Sequence, residues 1–251
     1  MKKLQKHLIL FDVHRPFHNQ ELWKKVMRLI QNERFDTIGL GGDYLDMYSL
    51  GRYNKGSLRK LRNIDLSYEY KDGVKGLDDI DTAIGNRRIN KFWLTGNHED
   101  RYFRARDDGD TDKYGDTLQP FWEALRLRER GYKVYLDWRQ DKHRIGKLNV
   151  VHGLYTTKYP ASKHLEVFNY KSVIFGHAHV YQSYRTGNDA IGQAVGGLMD
   201  MSNPAFHYTN FQWRKRWSNS FAVVYTKPNG HFFIDVIQSI DDQFVYNGRL
   251  Y

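Results

Sequence analysis

The sequence predicts an α/β fold, on the strength of three observations. Short apolar runs rich in β-branched or aromatic residues fall at 8–10 (LIL), 37–40 (TIGL), 92–94 (FWL), 148–151 (LNVV), 172–175 (SVIF), 190–195 (AIGQAV) and 221–226 (FAVVYT). Helical patterns lie between several of them, and strands alternating with helices define an α/β core. Each of the first five runs is followed within three residues by Asp, Asn or His.

The elements follow in order. In HNQELWKKVMRLIQNERF, Trp23, Val26, Met27 and Ile30 keep the i, i+3, i+4, i+7 spacing of an amphipathic helix, and Asn19 is placed to cap it. A second helix is expected from Pro120 through FWEALRLRER to Gly131, with proline first and glycine last. FAVVYTKPNGHFFIDVIQ reads as two strands around a Pro-Asn-Gly turn, and DDQFVYNGRLY adds a further turn and short strand. A more antiparallel sheet is therefore expected to close the fold. The polar, Lys/Arg-rich stretch around 48–90, with a weakly helical middle, reads as an insertion or cap within a single domain spanning 1–251.

Composition narrows the chemistry. With 251 residues, of which 40% are hydrophobic, the chain can bury one large core. It contains no cysteine, so disulfides, thiolate zinc sites and cysteine nucleophiles are excluded, and any metal is held by nitrogen and oxygen. The apolar stretch of MKKLQKHLILFDVH is too short for a secretory leader, and no uninterrupted apolar run has the length of a membrane span. The expectation is a cytoplasmic protein with no membrane partner. Its formal charge of +10 favours phosphate-rich partners.

The chemistry-bearing residues gather at the strand ends. Asp12 and His14 follow the first, Asp43 follows two glycines after the second, and Asn97 and His98 follow a glycine after the third. His152 ends the fourth, and His177 and His179 end the fifth. Open α/β sheets collect ligand sites at the carboxyl ends of their strands, and glycines there let backbone approach a ligand closely. In extended backbone, His177 and His179 point to one side about 6.5 to 7 Å apart. They can chelate one metal or each hold one of two neighbouring ions.

The ordered set D-x-H, G-D, G-N-H-E, H and G-H-x-H, from residue 12 to residue 179, resembles the calcineurin-like metallophosphoesterase superfamily. DVHRPFH, GNHEDR and the long interval from GNHE to GHAH are also similar to phage-encoded members, which would work in the cytoplasm of a host. The resemblance implies a four-layered αββα sandwich, two mixed β-sheets flanked by helices, with a two-metal site. It makes Asp12, His14 and His179 ligands of one ion, Asn97, His152 and His177 ligands of the other, and Asp43 the bridge. His98 is left unbound, facing the substrate. Two such ions about 3.5 to 4 Å apart can share a hydroxide and clamp phosphate oxygens during in-line displacement. Imidazole-rich ligands suit manganese, iron, cobalt, nickel or zinc, with manganese the first choice. His98 then steadies transition-state charge or protonates the leaving oxygen. Asp46 and Glu99 are placed as outer carboxylates or turn residues, and His18, His164 and His207 as structural residues.

Substrate is less tightly specified. Phosphatases of the superfamily carry G-D-x-x-D-R-G, whereas this chain has GDYLDMYS, with Met47 and Tyr48 in place of Arg and Gly. That departure favours a phosphodiesterase or nuclease acting on DNA, RNA or a nucleotide diester over a phosphomonoesterase. A non-catalytic scaffold is a third reading, although no expected ligand is missing. FQWRKRW (211–217) and RYFRAR (101–106) interleave rings and cations that can follow a sugar-phosphate backbone. FQWRKRW reads equally as a solvated basic face with tryptophans anchored in the core. GRYNKGSLRKLRN (51–63) reads as a solvated insertion.

Overall fold

The strand Gln5–Leu10 (β1) shows how the layers are built. Leu8 and Leu10 pack among helices on one side, while Ile9, with Phe11 just beyond, packs against a second sheet on the other. In this computed structural model, which describes residues 4–51, 61, 63–109, 115, 118–187 and 189–251, the same alternation recurs in the neighbouring strands. Trp93, Phe221 and Val223 face the helices; Phe92, Leu94, Ala222 and Val224 face the second sheet.

After β1 come helix α1 (Gln20–Asn32), β2 (Thr37–Leu40), α2 (Leu66–Ile84), β3 (Asn90–Leu94), α3 (Asp100–Asp107), α4 (Phe121–Ala124) and β4 (Tyr132–Tyr135). The chain then forms β5 (His143–Ile145), β6 (Leu148–Val151), α5 (Pro160–Val167), β7 (Val173–Phe175), β8 (Gln182–Arg185) and β9 (Ile191–Ala194). It ends with α6 (Phe211–Arg214), β10 (Ser220–Thr226), β11 (Phe232–Gln238), β12 (Val245–Tyr246) and β13 (Arg249–Leu250). One sheet has the order β11-β10-β1-β2-β3-β4, and the other β5-β6-β7-β9-β8. Both are mixed: β1 to β4 run parallel with β10 antiparallel to β1, and β6, β7 and β9 run parallel between antiparallel edges. Helices α1 and α2 cover the first sheet, and α5 packs on β8 and β9 of the second. Four layers in the order αββα result.

Helix α1 starts as expected, with the Asn19 side chain accepting the Leu22 N–H at 3.0 Å. Other expectations are corrected. The middle of the 48–90 stretch is α2, whose Leu66, Tyr70, Leu77, Ile80, Ala83 and Ile84 are buried in the main core, so it is a structural layer. Its charged residues conceal the stripe because they occupy the outer face. The GRYNKGSLRKLRN reading falls almost wholly outside the described residues. The helix expected from Pro120 to Gly131 stops at Ala124, after which hydrogen-bonded turns run to Gly131. The expected hairpin forms as β10–β11 around Pro228, Asn229 and Gly230, and it extends the first sheet, with Leu8 paired to Val223. Its apolar residues have a partner in β1, which neighbours in sequence do not disclose.

Candidate metal centre

All five strand-end loops converge at one edge of the sandwich. The loops after β1 and β2 stay paired beyond their strands, through His14 N–H to Asp43 O at 2.9 Å and Arg15 N–H to Tyr44 O at 2.7 Å. The Asp12 carboxylate ties the second sheet in, accepting the His177 N–H at 2.8 Å. Asp43 likewise accepts the His98 N–H at 2.8 Å. Asp12, His14, Asp43, His177 and His179 all have φ between 50° and 61°. Such backbone costs about 1 kcal/mol or more per non-glycine residue and persists only where surroundings enforce it. The two histidines of GHAH therefore do not lie in extended backbone; the chain turns at each and sends them to different clusters.

Glycine is required where the loops touch. A Cβ on Gly96 would fall 2.0 Å from Asp43 Oδ1, and one on Gly176 would fall 2.2 Å from Asp12 Oδ2. These contacts account for the glycines of GNHE and GHAH.

Among the described residues, three groups of His and Asp side chains result, one of them His14, Asp46 and His98, and the other two sharing Asp43. Asp12, His14, Asp43 and His179 place ligand atoms within 4.8 Å of one another, as do Asp43, His152 and His177, so Asp43 is common to both. Asn97 joins the latter group, its Oδ1 3.0 Å from His152 Nε2. Asp43 Oδ2 sits 3.3 Å from His152 Nε2 and 3.9 Å from His14 Nε2. His14 donates its Nδ1–H to Asp46 Oδ2 at 2.9 Å, which turns its Nε2 toward the centre, 3.2 Å from His179 Nε2. Asp12 Oδ1 is buried 3.4 Å from His179 Nε2 and, among the described residues, has no hydrogen-bond partner. An unsatisfied carboxylate oxygen amid inward-facing imidazole nitrogens is expensive without a cation and favourable with one. The residues fit a divalent metal site.

The electrostatics agree. Burial pushes the Asp43 carboxyl up, but His152 and His98 outweigh it and hold the group well below the usual carboxylate range. Asp12 is likewise pushed up by burial and brought down overall, chiefly by His179. Burial lowers the His152 imidazole, yet the Asp43 charge lifts it to about 9, so a cation entering here takes the place of a proton.

The outer carboxylates are resolved. Asp46 also lies 3.3 Å from His98 Nδ1, and its backbone carbonyl accepts that N–H at 2.7 Å. Glu99 accepts the N–H groups of Asp43, Leu45 and Gly96, pinning two strand-end loops together. Burial and the nearby Asp43 charge push its carboxyl up to about 7. His164 is structural: it donates to Pro160 O at 2.8 Å and accepts the Leu154 N–H at 2.8 Å, holding the loop that carries His152. Buried His18 meets Trp23 edge-on, away from the two metal groups.

The centre opens into a cleft of about 500 Å³ lined by Asp43, Asn97, His98, His177 and His179, with Tyr208, Trp213, Arg216 and Trp217 on one wall. Of FQWRKRW, one tryptophan packs inward and the other faces solvent. Trp217 is partly buried, edge-on to His179 at 4.6 Å, while Trp213 is exposed on the rim. Of the arginines of RYFRAR, Arg101 turns inward, donating to Asp46 O at 3.0 Å and lying 3.2 Å from His98 Nε2; Arg104 donates to Asn97 O but stays exposed, as does Arg106. Trp138, near His152 and His177, and Tyr208 carry no motif that would have marked them in the sequence.

No protein-family model and no curated protein matches this sequence. Among solved structures, Vps29 of Entamoeba histolytica aligns over 98% of this chain and 96% of its own at 12% identity and a TM-score of 0.46. Vps29 of Cryptosporidium parvum aligns over 99% and 95% at 12% identity and 0.45, and a dimetal phosphatase from Danio rerio over 93% and 95% at 12% identity and 0.43. The four layers and the His/Asp groups described above agree with the fold and metal chemistry implied by the calcineurin-like resemblance. Among the described residues, no helix is long and apolar enough to cross a membrane.

Proposed function

We propose that this protein is a dinuclear metal-dependent phosphoesterase that prefers diesters of nucleic acids or nucleotides. The observation that carries the reading is the pair of ligand groups sharing Asp43, with Asp12 Oδ1 buried 3.4 Å from His179 Nε2 and without a hydrogen bond among the described residues. Asp12, His14 and His179 would hold one ion, Asn97, His152 and His177 the other, and Asp43 both. Manganese is the first candidate for this donor set. Such ions, when bound, acidify water and neutralise phosphate charge.

The chain's own side chains do the rest. His98 stands on the cleft wall with Nδ1–H fixed on the Asp46 carbonyl and Nε2 beside Arg101. Arg101 holds the ring by donating to Nε2 while Nε2 is unprotonated; once Arg101 yields that contact and Nε2 takes up a proton, His98 can donate to the oxygen leaving phosphorus, with the guanidinium adding positive charge nearby. Asp46 holds His14 in the tautomer whose Nε2 faces the centre. Trp213, Arg216 and Tyr208 give the cleft a ring-and-cation wall suited to the second ester group of a diester. The test is manganese-dependent hydrolysis of bis-p-nitrophenyl phosphate and p-nitrophenyl phosphate side by side, with Asp43→Ala as control. Faster diester cleavage, abolished in Asp43→Ala, is expected. Faster monoester cleavage would reassign the enzyme as a monoesterase, and no turnover by folded, metal-loaded protein would overturn the enzymatic reading.

A further inference from the structure

Beside the cleft over the metal centre lies a second depression of about 390 Å³, formed by Thr157, Lys158, Tyr159, Lys163, Tyr170 and Tyr184 with their neighbours. Thr157 lines both hollows. Arg216, from the wall of the first, donates to the carbonyl of Lys158, in the second, at 2.7 Å. The two hollows are therefore joined along one surface. Three tyrosines of the second are strongly exposed: Tyr159 at 60%, Tyr170 at 59% and Tyr184 at 48%. Trp213, on the rim of the first, is exposed at 46%. Large rings left facing water together, with cations among them, mark a binding surface more strongly than scattered single exposures do.

We propose that these joined hollows form a track for a single-stranded polynucleotide, with Trp213, Tyr159, Tyr170 and Tyr184 stacking on bases. The proposal rests on the diesterase reading and narrows its substrate to a polymer longer than the metal cleft alone can hold. Lys158, Lys163 and Arg216 supply positive charge along the track. Lys158 lies over the Tyr159 ring at 5.2 Å, and Arg216 over the Trp213 ring at 5.0 Å, so each cation covers one face of its ring and a base would stack on the opposite face. Lys163 pairs with Glu166 at 3.1 Å, but both are solvent-exposed, and such a pair gives way to a phosphate at little cost. A duplex keeps its base faces stacked on each other and cannot use these rings; a single strand can.

The test is fluorescence anisotropy of the wild-type chain in EDTA, where no cleavage occurs, with labelled oligothymidylates and oligouridylates of about 4 and about 12 nucleotides and a duplex of the longer length. Affinity for either single strand should rise at least about tenfold from the short to the long probe, and the duplex should bind more weakly. The combined Tyr159→Ala, Tyr170→Ala, Tyr184→Ala variant should lose about tenfold or more on the long probe and little on the short one, with an unchanged thermal melt as the control for folding. Equal affinity for both lengths, preference for duplex, or an unaffected triple variant would overturn the track. Hydrolysis of the small diester by wild-type protein is measured separately. Its absence would refute the diesterase reading without touching the length dependence, and length-independent binding would refute the track without touching hydrolysis.

Discussion

At the scale of single residues, the carboxylates around the centre separate into those that face the ligand space and those that aim other side chains. Asp46 belongs to the second kind, since it holds both His14 and His98 by their Nδ1 atoms. Asp46→Asn should lower metal affinity or turnover about 10- to 100-fold while leaving the fold intact, read by metal titration and steady-state kinetics. His164 carries a pH dependence of stability. Burial, helped by the nearby His152 charge, lowers its imidazole from 6.5 to about 4, in keeping with an Nε2 that accepts the Leu154 N–H. Since the unfolded chain binds this proton more readily, the contribution is fully present above pH 6.5 and is lost as pH falls toward 4. In metal-free protein, the advantage of wild type over His164→Phe in urea unfolding should shrink by about 2 to 3 kcal/mol across that window. A constant difference would contradict the assignment of His164 as a buried neutral ring.

At the scale of elements, α2 distinguishes a layer from an appendage. Leu77 is fully buried in the main core, so Leu77→Ala should cost about 2 to 5 kcal/mol in chemical denaturation. A cost near zero would mean that the helix is dispensable. This element also shows what the sequence could tell. Strand runs such as TIGL and LNVV coincide with β2 and β6, because an uninterrupted apolar run suits strands buried on both faces. The candidate ligands were legible for a related reason, as loops that bring backbone against a carboxylate need glycine beside it. Helix α2 was obscured by its charged outer face, and β8, reading QSYR, carries too few apolar residues to announce a strand. Arg101, Trp138 and Tyr208 acquire their positions only when distant segments meet, which spacing along the chain cannot reveal.

At the scale of the whole molecule, the net charge of +10 and the cations around the cleft and the proposed track would make polynucleotide binding electrostatic in part. If three phosphates are neutralised by Lys158, Lys163 and Arg216, the affinity for single-stranded oligonucleotide should fall with a log–log salt slope of about −2. The KM for bis-p-nitrophenyl phosphate should change little over the same range. A flat response for the oligonucleotide would argue against phosphate contacts by these three residues.

The pairing of β1 with β10 has a consequence in time. β1 sits at the centre of the first sheet, yet one of its two neighbours is supplied by Leu8 meeting Val223 and Ile9 meeting Ala222. Contacts between such distant stretches close slowly, because the loop entropy must be surrendered before the pairing rewards it. Asp12 hangs from the end of that strand, and His177 reaches it from the other sheet. An ion held at this centre would draw its ligands from both sheets, so its capture would seal an assembled scaffold rather than seed one.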